Sequence, residues 1–299
     1  MKILILGSEG FIGSHLVEYF RRQHEVSGAG LVPEPSQPYR YFQVTAANPD
    51  WLSIFQSQTF DVCINAAGSA SVPYSMQHPG IDFEYNVLHT KQVLETIRLH
   101  SPRCRYLHIS SAAVYGSPRS LPVKEDHHIQ PLSPYGWHKY MAENLCREYT
   151  YIYNVSTAMV RPFSVFGPGL RKQLFWDLYQ KSKSGDKKIE LWGTGNESRD
   201  FIYISDLCLS FDLIMQHSSF KAGIYNIASG EETTVKEAAG LLFAELDKSI
   251  EITFNNHVRE GDPLNWKADI SGITRYGFAP KISFAQGIKN LGQWLRSLS

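Results

Sequence analysis

The sequence carries no net charge, few cysteines and no long apolar run, and each shortage closes off a class of function. Lysine plus arginine and aspartate plus glutamate both total 29 in 299 residues. No global field therefore draws the chain to nucleic acid or to an anionic membrane, and an anionic ligand must be held by local charges. Cys63, Cys104, Cys146 and Cys208 are scattered, without the paired spacing of a metal site, and a chain of this length needs no disulfide framework. A reducing cytoplasm is the expected compartment. The apolar run at residues 3–6 stops at Gly7, too short for a signal peptide or a membrane span, so it reads as a buried strand. Repeats and low-complexity tracts are missing too.

What is present suits a large core. Hydrophobic residues make up 43% of the chain, enough for one big domain and a smaller one. Strand-like runs at 3–6, 62–65, 106–110 and 157–161 alternate with helix-like stretches such as 13–22 and 88–99. That rhythm predicts an α/β fold, a parallel sheet covered by helices on both faces. After Arg161 it breaks into the turn Gly167-Pro168-Gly169, a helix-like stretch at 173–182 and a loop with Gly193 and Gly195. Residues 201–215 and 223–228 are expected to return to the sheet as a helix and a strand.

Gly7, Gly10 and Gly13 follow the first strand and open the first helix. In that setting the three glycines give a tight turn, room for a pyrophosphate, and close packing of helix on strand. The amides of Phe11, Ile12 and Gly13 at the helix N-terminus would then face the phosphates. The expected architecture is a Rossmann-type doubly wound sheet: residues 1–165 with 201–228 bind a dinucleotide, and 166–200 with 229–299 form a smaller α/β substrate lobe. An acidic residue normally follows about 20 residues on and holds the ribose 2′-hydroxyl. Here the second strand, 24–31, ends at Gly30 without a carboxylate. That permits NADP, with Arg40 a poorly placed counter-charge, or NAD held by other contacts; both cofactors stay open.

Tyr135 and Lys139 stand four apart in a helix-like run, on one helical face. An ammonium about 4–5 Å from a phenol at an effective dielectric near 20 is worth roughly 4 kcal/mol, which would bring a tyrosine from about 10 toward neutrality as a general base. The plain alternative is a helix-capping tyrosine beside a solvated lysine. Against it, Ser110 and Ser111 follow the strand at 106–109, at the sheet end where ligands bind, and a serine there can polarise the same oxygen.

With these parts stand Asn65-Ala66-Ala67-Gly68, Asn86, the run Ser110-Ser111-Ala112-Ala113-Val114-Tyr115-Gly116, Arg161-Pro162, Ser198-Arg199-Asp200-Phe201 and Arg259-Glu260-Gly261-Asp262. Over essentially its whole length the sequence resembles the nucleotide-sugar epimerase/dehydratase family of extended short-chain dehydrogenases. The resemblance implies Ser111, Tyr135 and Lys139 as catalytic residues. It implies Gly7, Gly10, Phe11, Ile12, Gly13, Gly30, Thr45, Ala66, Ala67, Asn86, Tyr135 and Lys139 around NAD or NADP, and Ser111, Ser164, Arg199 and Arg259 around a nucleotide-diphosphate sugar. Guanidinium suits the diphosphate because its donors form a planar fork at fixed charge. The implied reaction is oxidoreduction at sugar C4, as a 4-epimerase or as an NADPH-using reductase of a 4-keto-6-deoxy sugar; a non-catalytic dinucleotide sensor is the distant alternative. A homodimer through the helices containing Asn86 and Lys139 is also implied.

The sequence departs from the family's pattern in three places. Ala113 stands where water-eliminating and decarboxylating members carry an acid, Ser164 replaces an asparagine on the sugar-phosphate side, and Thr45 replaces an acid near the adenine. Elsewhere, His127-His128 lacks a third ligand at metal spacing. Phe175, Trp176, Tyr179 and Trp192 could stack on a base or simply pack in a core.

Overall fold

A computed structural model describes residues 1–185, 187–257 and 264–298. In chain order the elements begin β1 (Lys2–Leu6), α1 (Phe11–Phe20), β2 (Glu25–Gly30), β3 (Arg40–Gln43), α2 (Trp51–Ser57), β4 (Val62–Asn65), α3 (Val72–Gln77) and α4 (Pro79–Phe83). A π-helical turn over Glu84–Leu88 leads into α5 (His89–His100), then β5 (Arg105–Ile109), a 3-10 turn over Ala112–Tyr115, α6 (Pro134–Tyr153) and β6 (Thr157–Pro162). The rest is β7 (Ser164–Phe166), α7 (Gln173–Ser182), β8 (Lys188–Leu191), β9 (Ser198–Arg199), β10 (Phe201–Tyr203), α8 (Ile204–His217), β11 (Lys221–Ile227), β12 (Thr233–Thr234), α9 (Val235–Glu245), β13 (Glu251–Phe254), α10 (Ser271–Thr274) and α11 (Phe284–Arg296). No helix among the described residues is long and apolar enough to cross a membrane.

The chain forms two units, the first comprising residues 1–116, 129–162 and 211–225. Its frame is a seven-stranded sheet in the order β11-β6-β5-β4-β1-β2-β3. The ladders joining β3 to β2, β2 to β1, β1 to β4, β4 to β5 and β5 to β6 are all parallel. Strands buried on both faces need continuous apolar runs, and Ile3, Leu4, Ile5 and Leu6 are fully buried. Leu4 and Leu6 share a core with Val93, Leu94 and Ile97 of α5 and Met159 of β6; each such side chain contributes about 1.5–3 kcal/mol on burial. Strand order reverses between β1 and β4, and at such a switch point the loops leaving the carboxyl ends open a ligand crevice.

The second unit comprises 117–128, 163–210 and 226–299. Its core gathers Phe166, Phe175, Leu178, Tyr179, Phe201, Leu242 and Leu291. Helix α9 starts with a reciprocal Thr234/Glu237 cap, which satisfies two end amides at once. Strands β8 and β13 pair in parallel.

Three features differ from the pattern read in the sequence. Of residues 201–228, expected to return to the first unit, only 211–225 belong to it. Residues 201–203 are the strand β10, paired in parallel with β7, and the helix begins only at Ile204; Phe-Ile-Tyr favours the pleated, half-buried surface. Residues 117–128, sequence-adjacent to the first unit, belong to the second because Val123 bridges to Ala268 and Asn226 Nδ2 donates to Val123 O at 2.9 Å.

Candidate active site

Gly7 leaves β1 with φ +74°, and a Cβ there would lie 2.7 Å from Ala67 N and 2.8 Å from the Ala66 carbonyl. A Cβ on Gly13 would lie 2.1 Å from Gly7 O. Backbone therefore meets backbone at the switch point, a closeness only glycine allows. Gly10 is the N-cap residue of α1 and no side chain caps the helix, so its end amides, those of Phe11, Ile12 and Gly13, keep their affinity for an anion. Asn86 lies in the π-helical turn, 1% exposed. Its Nδ2 donates to Asp82 O at 3.1 Å, while its Oδ1 is buried without a hydrogen-bond partner among the described residues. A Cβ on Gly68 would fall 2.6 Å from that oxygen. A glycine cradle on a bare helix N-terminus, with an unsatisfied buried amide oxygen in the same unit, fits a dinucleotide. Gly30 and Thr45 both stand at the carboxyl edge of the sheet, since Val44 N donates to Gly30 O at 2.9 Å.

Ser111 caps the 3-10 turn after β5, its Oγ accepting from Ala113 N at 3.1 Å. Its hydroxyl is hydrogen-bonded to the Tyr135 phenol. Tyr135 sits in the first turn of α6, where Ser133 caps the helix, Pro134 opens it and Tyr135 N donates to Ser75 Oγ at 3.1 Å. Gly136 brings the two elements together, since a Cβ there would stand 2.7 Å from Ala113 O. Lys139, one turn on, is only 5% exposed; its Nζ donates to Ile109 O at 3.0 Å and lies 5.8 Å from the Tyr135 ring centroid. The solvated-lysine alternative is thereby removed.

The acidity of Tyr135 differs from the expectation of a phenol drawn toward neutrality. Burial pushes it up to about 12, opposed by the Ser111 hydrogen bond and reinforced by the Asp82 carboxylate. The Lys139 ammonium, turned onto a carbonyl, does not reverse this. In the free chain Tyr135 is a protonated phenol at neutral pH. Asp82, fully buried, holds His138 Nδ1 at 2.6 Å. Burial first, then the Lys139 charge, keep His108 well below its ordinary value.

Beneath these residues lies an ion pair that the sequence reading missed. Arg161 of β6 donates to Glu143 of α6 from Nε (2.8 Å) and Nη2 (2.6 Å), and from Nη1 to the Tyr115 hydroxyl at 2.7 Å. Both charged side chains are at most 1% exposed. Ser110 Oγ donates to Glu143 Oε1 at 2.5 Å. Glu143 falls four residues after Lys139, on the same helical face; that spacing was the available signal.

The second unit holds Ser164 and Arg199. Ser164 opens β7 and its N–H bonds to Asp200 O at 3.0 Å. Arg199 Nη1 donates to Ser198 O at 2.8 Å and Leu264 O at 3.2 Å, and its guanidinium lies 5.8 Å from the Trp266 ring centroid. Arg259 lies outside the described residues. Among the aromatics, Phe175 and Tyr179 are core, Trp176 tilts against Trp294, and Trp192 is 59% exposed.

Comparison with known proteins gives the same answer. A 27% identical Bacillus cereus UDP-glucuronic acid 4-epimerase, solved with UDP-glucuronic acid and NAD, superposes with a TM-score of 0.90 and full coverage of both chains. A Methanocaldococcus jannaschii protein provisionally named UDP-glucose 4-epimerase is 29% identical over 99% of this chain and 98% of its own length. Pseudomonas aeruginosa GDP-6-deoxy-D-mannose reductase is 26% identical over 90% of this chain and 93% of its own. Residues 3–228 match the model of the NAD dependent epimerase/dehydratase family. The cradle on β1, the Ser111–Tyr135–Lys139 cluster and this match agree, and the chain belongs to the NAD dependent epimerase/dehydratase family.

Proposed function

We propose that the chain interconverts nucleotide-activated sugars by oxidation and reduction at C4, as a 4-epimerase. The observation that carries this reading is the Ser111–Tyr135 hydroxyl pair with buried Lys139 one turn along α6, in the unit that also bears the glycine cradle. A bound nicotinamide dinucleotide supplies the hydride acceptor and donor. Tyr135 exchanges a proton with the C4 oxygen: as a phenol it gives one to a ketone, and as a phenolate it takes one from a hydroxyl. Ser111, whose oxygen is already polarised by Ala113 N–H, donates to the same sugar oxygen. The Lys139 ammonium lowers the cost of the phenolate when it forms. Arg199 and Arg259 hold the diphosphate.

A second reading, reduction of a 4-keto-6-deoxy nucleotide sugar, is favoured by Gly30, which ends β2 without a carboxylate, and by the similarity to the Pseudomonas aeruginosa reductase. The discriminating experiment is a panel of nucleotide sugars with each cofactor. Turnover between C4 epimers with no net cofactor change supports the epimerase; stoichiometric NADPH consumption with a 4-keto-6-deoxy sugar replaces it with the reductase. The proposal includes a cytoplasmic homodimer through the helices bearing Asn86 and Lys139. Exposed Leu88, Trp137 and Met141 on that stretch support the dimer, and a monomer on gel filtration would remove it.

A further inference from the structure

The end of β2 lacks its carboxylate, yet a carboxylate is held there from another element. Glu9 lies inside the glycine loop, between Gly7 and Gly10. The same loop touches the end of β2, since Gly7 N and Ser8 N both donate to Ala29 O, at 2.7 and 3.2 Å. From there Glu9 reaches the segment that follows β2: Ser36 N donates to its Oε2 at 2.9 Å, and the Tyr39 hydroxyl donates to its Oε1. The same Tyr39 oxygen lies 2.9 Å from Ser8 Oγ, and with its own proton on Glu9 it accepts there. Burial, and next the Glu9 hydrogen bond, push the Tyr39 phenol well up, so it stays a donor at any working pH. A carboxylate has about four acceptor positions, and these two bonds leave acceptor capacity for a sugar hydroxyl.

The cation that could favour a 2′-phosphate sits at the wrong end of the sheet. Arg40 pairs with Ser27, three residues before Gly30 in the β2–β3 register, about 10 Å back along the strand. Its Nη1 donates to Gln58 Oε1 at 2.7 Å and its guanidinium covers Phe42, 5.3 Å from the ring centroid.

We propose that Glu9, clamped by Ser36 and Tyr39, stands in for the missing β2 carboxylate and makes this chain select NAD over NADP. The inference rests on the dinucleotide reading of the glycine cradle. A ribose 2′-hydroxyl can donate to Glu9, whereas a 2′-phosphate brings up to two further negative charges against it. Repulsion of that kind, even in a half-exposed and screened setting, disfavours binding by about tenfold or more.

Isothermal titration with NAD, NADP, 5′-AMP and 2′,5′-ADP, without sugar or turnover, tests this. The wild type should bind NAD at least tenfold more tightly than NADP, with the same order for the fragments. Glu9→Gln, which keeps shape and removes charge, should bring the ratio to within about threefold, mainly by improving NADP. Tyr39→Phe, which frees one Glu9 oxygen, should move the ratio less and keep the preference for NAD. A wild type indifferent to the phosphate, or a Glu9→Gln ratio unchanged within twofold, would overturn the role of Glu9 while leaving the cradle intact. Binding of neither dinucleotide would overturn the cradle reading and this inference together.

Discussion

Replacing Glu143 by glutamine isolates the buried ion pair under the catalytic cluster. Arg161 would keep its charge: burial works against the guanidinium, but the hydrogen bonds and charge of Glu143 hold it above its usual value, and arginine does not deprotonate in proteins. Glu143→Gln therefore leaves a cation at most 1% exposed facing a neutral amide, with at least one of the short hydrogen bonds to Glu143 compromised. Removing one partner of a buried pair costs about 3–5 kcal/mol, a large share of the roughly 5–15 kcal/mol that holds a domain folded. At about 2–4 °C per kcal/mol for a domain of this size, the melting temperature should fall by roughly 6–20 °C. Urea titration followed by tryptophan fluorescence reads the same loss as a shift in midpoint at constant slope. Because desolvation offsets much of the pair's attraction, the double variant Glu143→Leu/Arg161→Met should recover most of the lost stability. A single-variant loss below about 1 kcal/mol, or a double variant no better than the single, would refute the reasoning.

Gly13→Ala should destabilise the first unit by about 1–3 kcal/mol and weaken dinucleotide binding at least tenfold by titration, because its Cβ would meet Gly7 O at 2.1 Å and only backbone could yield. Asp200 governs a pH effect in the second unit. It accepts from Ser229 N, Ser229 Oγ, Gly230 N and Ala268 N, yet burial still raises its carboxyl from 3.8 to about 6. The folded chain then binds more protons than the unfolded one between those values, so this group removes stability as pH rises from about 4 to 6, about 3 kcal/mol in all. Asp200→Asn should make the slope of melting temperature against pH more positive over that window than in the wild type; identical slopes would contradict the raised carboxyl.

Much of this architecture could be read from the chain itself. The runs at 62–65 and 173–182 became β4 and α7 with the same bounds, and the first strand, its glycine turn and the following helix stand within two residues of their predicted limits. Those elements rest on local signals: apolar continuity, period and the glycines that punctuate them. β3 is implied only by the resemblance, as the strand before Thr45, because Arg-Tyr-Phe-Gln carries no apolar run and gains its strand character from pairing with β2. The same reason hid residues 117–128 within the second unit, where contacts to residues more than 100 positions away hold them. At the site, spacing brought Tyr135 and Lys139 to one helical face. It could not reveal that Lys139 turns onto Ile109 O and that burial dominates the phenol. Nor could a search of the β2 end find Glu9, which arrives there from β1.

The most direct measurement compares single-turnover rates of wild type and Tyr135→Phe on the nucleotide sugar that the panel identifies, with dinucleotide affinity measured alongside. Loss of one phenolic oxygen should slow the proton-coupled step by about 10²- to 10⁴-fold while dinucleotide affinity changes by less than about threefold. A variant that turns over at the wild-type rate would contradict the assignment of Tyr135 as the acid and base.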